Sequence, residues 1–209
     1  MEIKSFKEAE GKYAEVIARM RESAHALHAQ VNQTYGKQHP YGYHLDMVAD
    51  GVRRYGHAVC DNEDDIVPLF FGAYYHDSIE DARQTYNDVM RLAKQWMTDR
   101  QALLAAEMVY ALTNEKGRTR AERANDKYYQ GIRETPYAPF LKLADRLANM
   151  TYSCSQANEG NLRMQRVYQA ELPHFLEAIQ SAGSDKRCAL PDEMVEEVHS
   201  VSVKSAAVE

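Results

Sequence analysis

The sequence has few of the residues that interrupt helices, with only 10 glycines and 6 prolines among its 209 residues. These residues cluster between stretches in which apolar side chains recur at helical spacing. Alternating runs of β-branched residues, which are typical of strands, are nearly absent. The sequence therefore predicts an all-α fold.

Cysteine is scarce and long hydrophobic runs are absent. The three cysteines, Cys60, Cys154 and Cys188, are far apart and odd in number, which excludes a disulfide framework and favours reduced thiols. No apolar run approaches the ~20 residues that cross a bilayer. The first segment, MEIKSFKEAEGKY, lacks the apolar centre of a signal peptide. We therefore expect a cytoplasmic protein with no membrane partner.

Positive charge is in deficit, and the formal net charge is −6. This balance argues against binding of extended nucleic acid, which needs a basic surface. It does not exclude a small anionic ligand, because a basic pocket can lie on an acidic protein.

Helical periodicity divides the chain into segments. A first helix is predicted over Ser5–Val31, followed by the loop-like stretch TYGKQHPYGYH, and a buried helix capped by Asn62 or Asp61 carries IVPLFFGAYYHD. Further helices are predicted over Tyr86–Met97, Arg100–Leu112, Thr119–Arg133, Tyr137–Tyr152 and Asn161–Gln180. We expect residues 1–180 to form one domain. Residues 181–209 are expected to be a peripheral extension with one short helix near Pro191–His199 and a disordered end.

The segment HDSIED, at residues 76–81, concentrates ionisable groups at the end of an apolar stretch. If the helix continues through it, His76 stacks one turn from Glu80 and Asp77 one turn from Asp81. Buried carboxylates need a compensating partner. A histidine with an aspartate suits Mn, Fe or Zn, so the segment indicates either a metal site or a satisfied helix pair.

Two other positions could complete such a site. His44 follows a loop and opens a helix, and Asp145 lies between core leucines in LKLADRLANM. Asn149 follows Asp145 by one helical turn and shares its face. Taken singly, His44 is also compatible with a core or helix-capping histidine, and Asn149 with an exposed helix position.

With these residues, the sequence resembles the HD-domain metal phosphohydrolases. His44, His76–Asp77 and Asp145 are similar to the ordered H…HD…D pattern of that superfamily. The stretches YHLDMVADGV, YYHDSIEDAR and ALTNEKGRTRAER with FLKLADRLANM resemble the (p)ppGpp hydrolase domain of RelA/SpoT homologues and the small alarmone hydrolases. The resemblance implies a single HD-domain helical bundle with a central metal site.

The resemblance also implies a role for each matching residue. The ligands of one divalent metal, usually Mn²⁺ in this branch, would be His44, His76, Asp77 and Asp145. Glu80 and Asp81 would position and deprotonate the attacking water. Substrate contacts are implied for a further set of side chains, namely Lys116, Arg123, Asn149, Lys142 and Arg146.

One position departs from the pattern of this branch. Its members commonly carry an arginine in the loop before the first histidine ligand, where it stacks on guanine, and Tyr35 stands near that place here. A tyrosine can stack on a base but lacks the charge and the donors of a guanidinium. Tyr35 is therefore a candidate substrate contact, and guanine specificity is left open.

A cluster of cations follows the predicted helix over Arg100–Leu112. Lys116, Arg118, Arg120 and Arg123 lie within eight residues and could offset the charge of a pyrophosphate. The alternative is a plain solvated face, in which Glu115 and Glu122 pair with these cations at ~0–1 kcal/mol.

The leading expectation is hydrolysis of the 3′-pyrophosphate of (p)ppGpp by metal-activated water, in a stand-alone protein without a synthetase domain. One alternative keeps the chemistry and changes the substrate to another nucleotide or a cofactor phosphate such as NADPH. A second alternative is a non-catalytic nucleotide-binding regulator, which would have no need of Glu80 and Asp81. A homo-oligomer is compatible with all three.

Overall fold

The computed structural model describes residues 1–155 and 158–206, which form eleven α-helices and one two-stranded sheet. The elements are α1 (Ile3–Lys12), α2 (Ala14–Gln30), β1 (Thr34–Tyr35), β2 (His39–Pro40), α3 (Gly42–Val59), α4 (Ile66–Tyr75), α5 (Tyr86–Ala93), α6 (Asp99–Leu112), α7 (Arg120–Arg123), α8 (Asp126–Glu134), α9 (Ala138–Ser155), α10 (Glu159–Ile179) and α11 (Asp192–Ala206). Short 3₁₀ helices occur at Glu63–Asp65 and Lys186–Cys188. The all-α prediction is confirmed.

The first helical segment is two helices, not one. The helical geometry is interrupted at Tyr13, which has φ −102° and ψ 12°. Phe6 of α1 packs against Gly56 of α3, whereas α2 packs against both α3 and α4. The break lets each half of the segment bury its own apolar face, so the prediction of one helix over Ser5–Val31 is wrong at this point.

The stretch predicted as a loop contains a small hairpin. Thr34 pairs with Pro40 and Tyr35 with His39 in antiparallel register. The turn needs Gly36, because its φ is +58° and a Cβ there would lie 1.8 Å from the Tyr152 hydroxyl oxygen. The hairpin thereby places Tyr35 against α9.

Helix α4 is the most buried element, and all ten of its residues are buried. It ends at Tyr75, so the prediction that HDSIED continues the helix is wrong. Residues 76–81 form hydrogen-bonded turns instead, and the N–H of Ser78 donates to the Tyr75 carbonyl. Asp77 and Asp81 nevertheless keep helical spacing, since the N–H of Asp81 donates to the Asp77 carbonyl at 2.8 Å.

The predicted helix over Thr119–Arg133 is also divided. Thr119 and Glu122 form a capping box at the start of α7, and the Asn125 side chain accepts from the N–H of Tyr128 at the start of α8. Each polar cap begins a new helix, which explains the interruption.

The C-terminal segment is part of the core. Met194 and Val198 of α11 are fully buried, and α11 packs along α9. The predicted peripheral extension with a helix near Pro191–His199 is therefore corrected to a longer, packed helix. Residues 207–209, where a disordered end was predicted, lie outside the described residues.

The packing brings three elements to one place. Helix α9 lies between α3, α10 and α11, and α3 also packs against α4. The start of α3, the turns after α4 and the middle of α9 therefore meet. Within the described ranges, none of the helices has the length and apolar character needed to cross a bilayer.

Candidate active site

Four ionisable side chains from three separate segments converge at this meeting point. His44 lies in the first turn of α3, His76 and Asp77 follow α4, and Asp145 lies in α9. The Nε2 atoms of His44 and His76 are 3.2 Å apart. The Oδ1 atom of Asp145 lies 3.3 Å from His44 Nε2 and 4.0 Å from His76 Nε2.

Asp77 completes the group. Its Oδ2 atom lies 2.9 Å from His76 Nε2 and 3.5 Å from His44 Nε2. One ligand atom each from His44, His76 and Asp145 lies within 4.8 Å of the others, so these three residues could share an ion, and Asp77 contacts both histidines beside them. Two imidazole nitrogens with two carboxylates form a mixed donor set that fits Mn, Fe or Zn.

A hydrogen bond to the backbone fixes the orientation of the His76 ring. Its Nδ1 lies 2.9 Å from the Ala73 carbonyl oxygen, to which it can only donate. In the neutral ring Nε2 therefore carries the lone pair and points into the cluster. His44 also directs Nε2 into the cluster, while its Nδ1 is buried without a hydrogen-bond partner among the described residues.

A second layer of side chains holds the carboxylates. The Tyr41 hydroxyl donates to Asp77 Oδ2. Lys142 Nζ donates to Asp145 Oδ2 at 3.0 Å, and Asn149 Nδ2 donates to Asp145 Oδ1 at 2.6 Å. Groups that orient metal-bound carboxylates in this way are a regular part of metal sites.

The electrostatics of the cluster favour charged carboxylates. Burial alone would raise the pKa of Asp77, but the neighbouring His76 and His44 rings hold it well below its usual range. Burial alone would lower the pKa of His44, but hydrogen bonds to Asp145 and Asp77 raise it to about 9. The carboxylates therefore draw positive charge to this point, which a bound cation would also supply.

Glu80 stands at the edge of the cluster in a fixed orientation. The N–H of Asn114 donates to Glu80 Oε1 at 2.6 Å, and Asn114 Nδ2 donates to Oε2 at 2.9 Å. Burial nevertheless raises the pKa of Glu80, and the charge of Asp77 adds to the rise. Sequence reasoning missed Asn114, although it lies in the stretch LTNEKGR that carries the resemblance.

A cavity of about 520 Å³ opens beside the cluster. Most of the predicted site residues line it, namely His44, Asp77, Glu80, Asp81, Arg123, Lys142, Asp145, Arg146 and Asn149. Two predicted substrate contacts do not. Lys116 is exposed in the loop after α6, and Tyr35 packs behind the cluster.

The sequence anticipated Arg120 and Arg146 on the far wall of the cavity but not the residues of α10 that they contact, Tyr168, Glu171 and Phe175. Arg120 donates to both oxygens of Glu171 at 2.7 and 3.0 Å, and Arg146 donates to Glu171 Oε2 at 3.0 Å. The guanidinium of Arg146 also lies over the rings of Tyr168 and Phe175, at 4.7 and 4.2 Å. The helical spacing of residues 168, 171 and 175 on α10 was the available signal.

The predicted cation cluster is divided between two environments. All four cations are exposed, but Arg120 and Arg123 line the cavity and Lys116 and Arg118 do not. Within the cluster, Glu122 caps the start of α7 and Glu115 pairs with Lys127. Glu115 and Glu122 therefore have partners other than the cation side chains that the solvated interpretation predicts for them.

Comparison with known proteins shows a similarity in structure but none in sequence. The sequence matches no protein-family model and none of the curated proteins. The structure is similar to a solved structure described as a metazoan ortholog of SpoT that hydrolyses ppGpp and plays a role in starvation responses. The TM-score is 0.60 at 16% sequence identity, and the match covers 89% of this chain and 93% of the other. The chain therefore has, over most of its length, the fold of a ppGpp hydrolase.

Proposed function

We propose that the protein is a metal-dependent phosphohydrolase that acts on a nucleotide. The observation that carries the proposal is the convergence of His44, His76, Asp77 and Asp145 within 4.0 Å contacts, beside a cavity that also holds Glu80. The ppGpp-hydrolysing activity stated for the protein of similar fold supports it.

The donor set supports one divalent ion, which we propose to be Mn²⁺. His44, His76, Asp77 and Asp145 would hold it, and Tyr41, Lys142 and Asn149 would keep the carboxylates oriented. When bound, such an ion lowers the pKa of water and stabilises charge on a phosphoryl oxygen.

Glu80 is the proton acceptor in this proposal. Its carboxylate lies beside the cluster and is held by Asn114 through both oxygens. Burial raises the pKa of Glu80, and a carboxylate whose pKa is raised is a stronger base than an ordinary glutamate. Asp81, which lines the same cavity, helps to position the water.

Cationic side chains around the cavity would bind the phosphates. Arg123 and Lys142 line it near the cluster, and Arg146 and Arg120 form the far wall with Glu171. Two guanidinium groups against one carboxylate leave a net positive charge there. Donors of this kind stabilise the charge that develops as a phosphate bond breaks.

We propose (p)ppGpp as the leading substrate, with loss of its 3′-pyrophosphate. A second candidate is a related nucleotide or cofactor phosphate such as NADPH. The position of Tyr35 supports this second candidate, because Tyr35 contacts His44 and Asn149 and does not line the cavity. A guanine-stacking side chain is thus missing at the place where the resemblance implies one.

A substrate panel tests this proposal. Mn²⁺-loaded protein is incubated with ppGpp, NADPH and other nucleotides, and the products are separated by chromatography. We expect release of pyrophosphate or phosphate from one member, abolished by a chelator and restored by Mn²⁺. Tight nucleotide binding without any turnover would instead indicate the non-catalytic regulator.

A further inference from the structure

A continuous chain of hydrogen bonds leads from the hairpin to a ligand of the cluster. The Tyr35 hydroxyl donates to Asn149 Oδ1 at 2.9 Å. Asn149 Nδ2 in turn donates to Asp145 Oδ1 at 2.6 Å and to the Asp145 carbonyl oxygen at 3.0 Å. Asp145 Oδ1 is the atom that faces His44 Nε2.

The direction of this chain is fixed by its chemistry. Both partners of Asn149 Nδ2 are oxygens that can only accept, so the amide of Asn149 cannot be reversed without placing its own oxygen against a carboxylate. Asn149 Oδ1 must then face Tyr35, whose hydroxyl has to be the donor.

The ring of Tyr35 contacts a second residue of the cluster, His44. It stacks on the His44 imidazole with ring centroids 4.7 Å apart and an interplanar angle of 20°. Its other neighbours include Tyr152, at a centroid distance of 4.5 Å, and the tight turn at Gly36 packs against Tyr152. The half-buried ring is therefore already packed against His44 and Tyr152.

We propose that Tyr35 and Asn149 are positioning residues of the metal centre, and that Tyr35 is not a stacking partner for a nucleobase. The hydroxyl of Tyr35 orients the side-chain amide of Asn149, and this amide in turn orients Asp145 Oδ1. The ring of Tyr35 packs on His44 and holds the imidazole in place. This inference rests on the proposed metal-dependent function. It replaces the substrate-stacking role that the resemblance implies for Tyr35.

The Tyr35→Phe variant tests the chain of hydrogen bonds because it removes the hydroxyl and keeps the ring. Mn²⁺ is titrated by calorimetry into chelator-treated protein. Outer-layer substitutions typically weaken metal binding about 10–100-fold, and we expect the lower end for Tyr35→Phe and more for Asn149→Ala. The double variant should be no weaker than Asn149→Ala alone, because the hydroxyl acts through the amide.

Tyr43→Phe is the matched control. It makes the same chemical change in the same aromatic group, but Tyr43 is 43% exposed and stacks on His39. We expect its Mn²⁺ affinity to equal that of the wild type. At saturating Mn²⁺, Tyr35→Leu, which lacks the aromatic ring, should recover the wild-type KM for the nucleotide, which loss of a base-stacking contact would not allow. Tyr35→Leu, which also removes the stack on His44, should weaken Mn²⁺ binding further than Tyr35→Phe.

The possible failures are distinguishable. Wild-type Mn²⁺ affinity in Tyr35→Phe, with or without a raised KM for the nucleotide, would overturn this inference and leave the proposed function intact. Absence of Mn²⁺ binding by the wild type would overturn the proposed function, and this inference with it.

Discussion

Asn114 holds both carboxylate oxygens of Glu80, although 34 residues separate the two in sequence. One hydrogen bond comes from the backbone of Asn114 and the other from its side chain. The loop after α6 is thereby joined to the turns that follow α4, and Glu80 is held at the edge of the cavity.

Replacement of Asn114 by alanine should impair turnover without affecting metal binding. The variant keeps the backbone donor and loses the side-chain donor, and a hydrogen bond to a charged group is worth about 1.5–3 kcal/mol. We therefore expect kcat to fall about tenfold while the Mn²⁺ dissociation constant is unchanged. Steady-state kinetics and calorimetry on the same preparation check both. If the Mn²⁺ affinity of Asn114→Ala fell by as large a factor as kcat, Asn114 would belong to the metal centre.

Glu80→Gln should separate chemistry from binding. The amide has nearly the same shape but cannot accept the proton of water, and general-base catalysis contributes about 10²–10⁴-fold. We expect kcat to fall within that range, with metal binding and the nucleotide KM close to wild type. Glu107→Gln, at an exposed position of α6, is the control. Turnover at the native rate in Glu80→Gln would show that another group accepts the proton.

The pH dependence of kcat/KM follows from the direction of the Glu80 shift. Its pKa is raised by burial and by the charge of Asp77, and only the ionised form can accept a proton. Activity should thus be lost as the pH falls through a pKa above the usual glutamate value of about 4.3. The hydrogen bond from the Asn114 side chain lowers this pKa, so Asn114→Ala should move the acid limb to higher pH. An acid limb that Asn114→Ala does not move would belong to a different group.

Met194→Ala should test whether α11 is part of the core. Met194 is fully buried against the bundle, and truncation of a buried methionine to alanine typically costs about 2–5 kcal/mol. Urea denaturation should show a loss of this size, whereas Glu193→Ala, at an exposed neighbouring position, should change the free energy of unfolding by under about 0.5 kcal/mol. Equal stability of the two variants would mean that α11 is dispensable.

The sequence predicted the helices and the converging residues for different reasons. Helical periodicity located most of the bundle, since each helix buries one apolar face. His44, the pair His76–Asp77 and Asp145 stood out because ionisable side chains next to apolar runs need a partner, and the family pattern ordered them. Both kinds of signal are local or have a recognisable spacing.

Other features depend on contacts that no local pattern encodes. The break at Tyr13 and the end of α4 before His76 arise from packing between distant helices. Glu171 belongs to the cavity because Arg120 and Arg146 reach it from other helices. Tyr35 was expected to face a base, but the tight turn at Gly36 directs it onto His44.

The most direct test of the central claim compares Mn²⁺ binding by the wild type and by Asp77→Ala. Binding is measured by calorimetry, and its effect on stability by thermal unfolding. We predict one ion per chain for the wild type and loss of binding in Asp77→Ala, which removes a ligand but spares His44, His76 and Asp145. At 100 times the dissociation constant, the ion should stabilise the wild type by about 2.7 kcal/mol, or roughly 5–10 °C in Tm, and leave Asp77→Ala unchanged. Equal Mn²⁺ binding by both proteins, or by neither, would contradict a metal centre built from these four side chains.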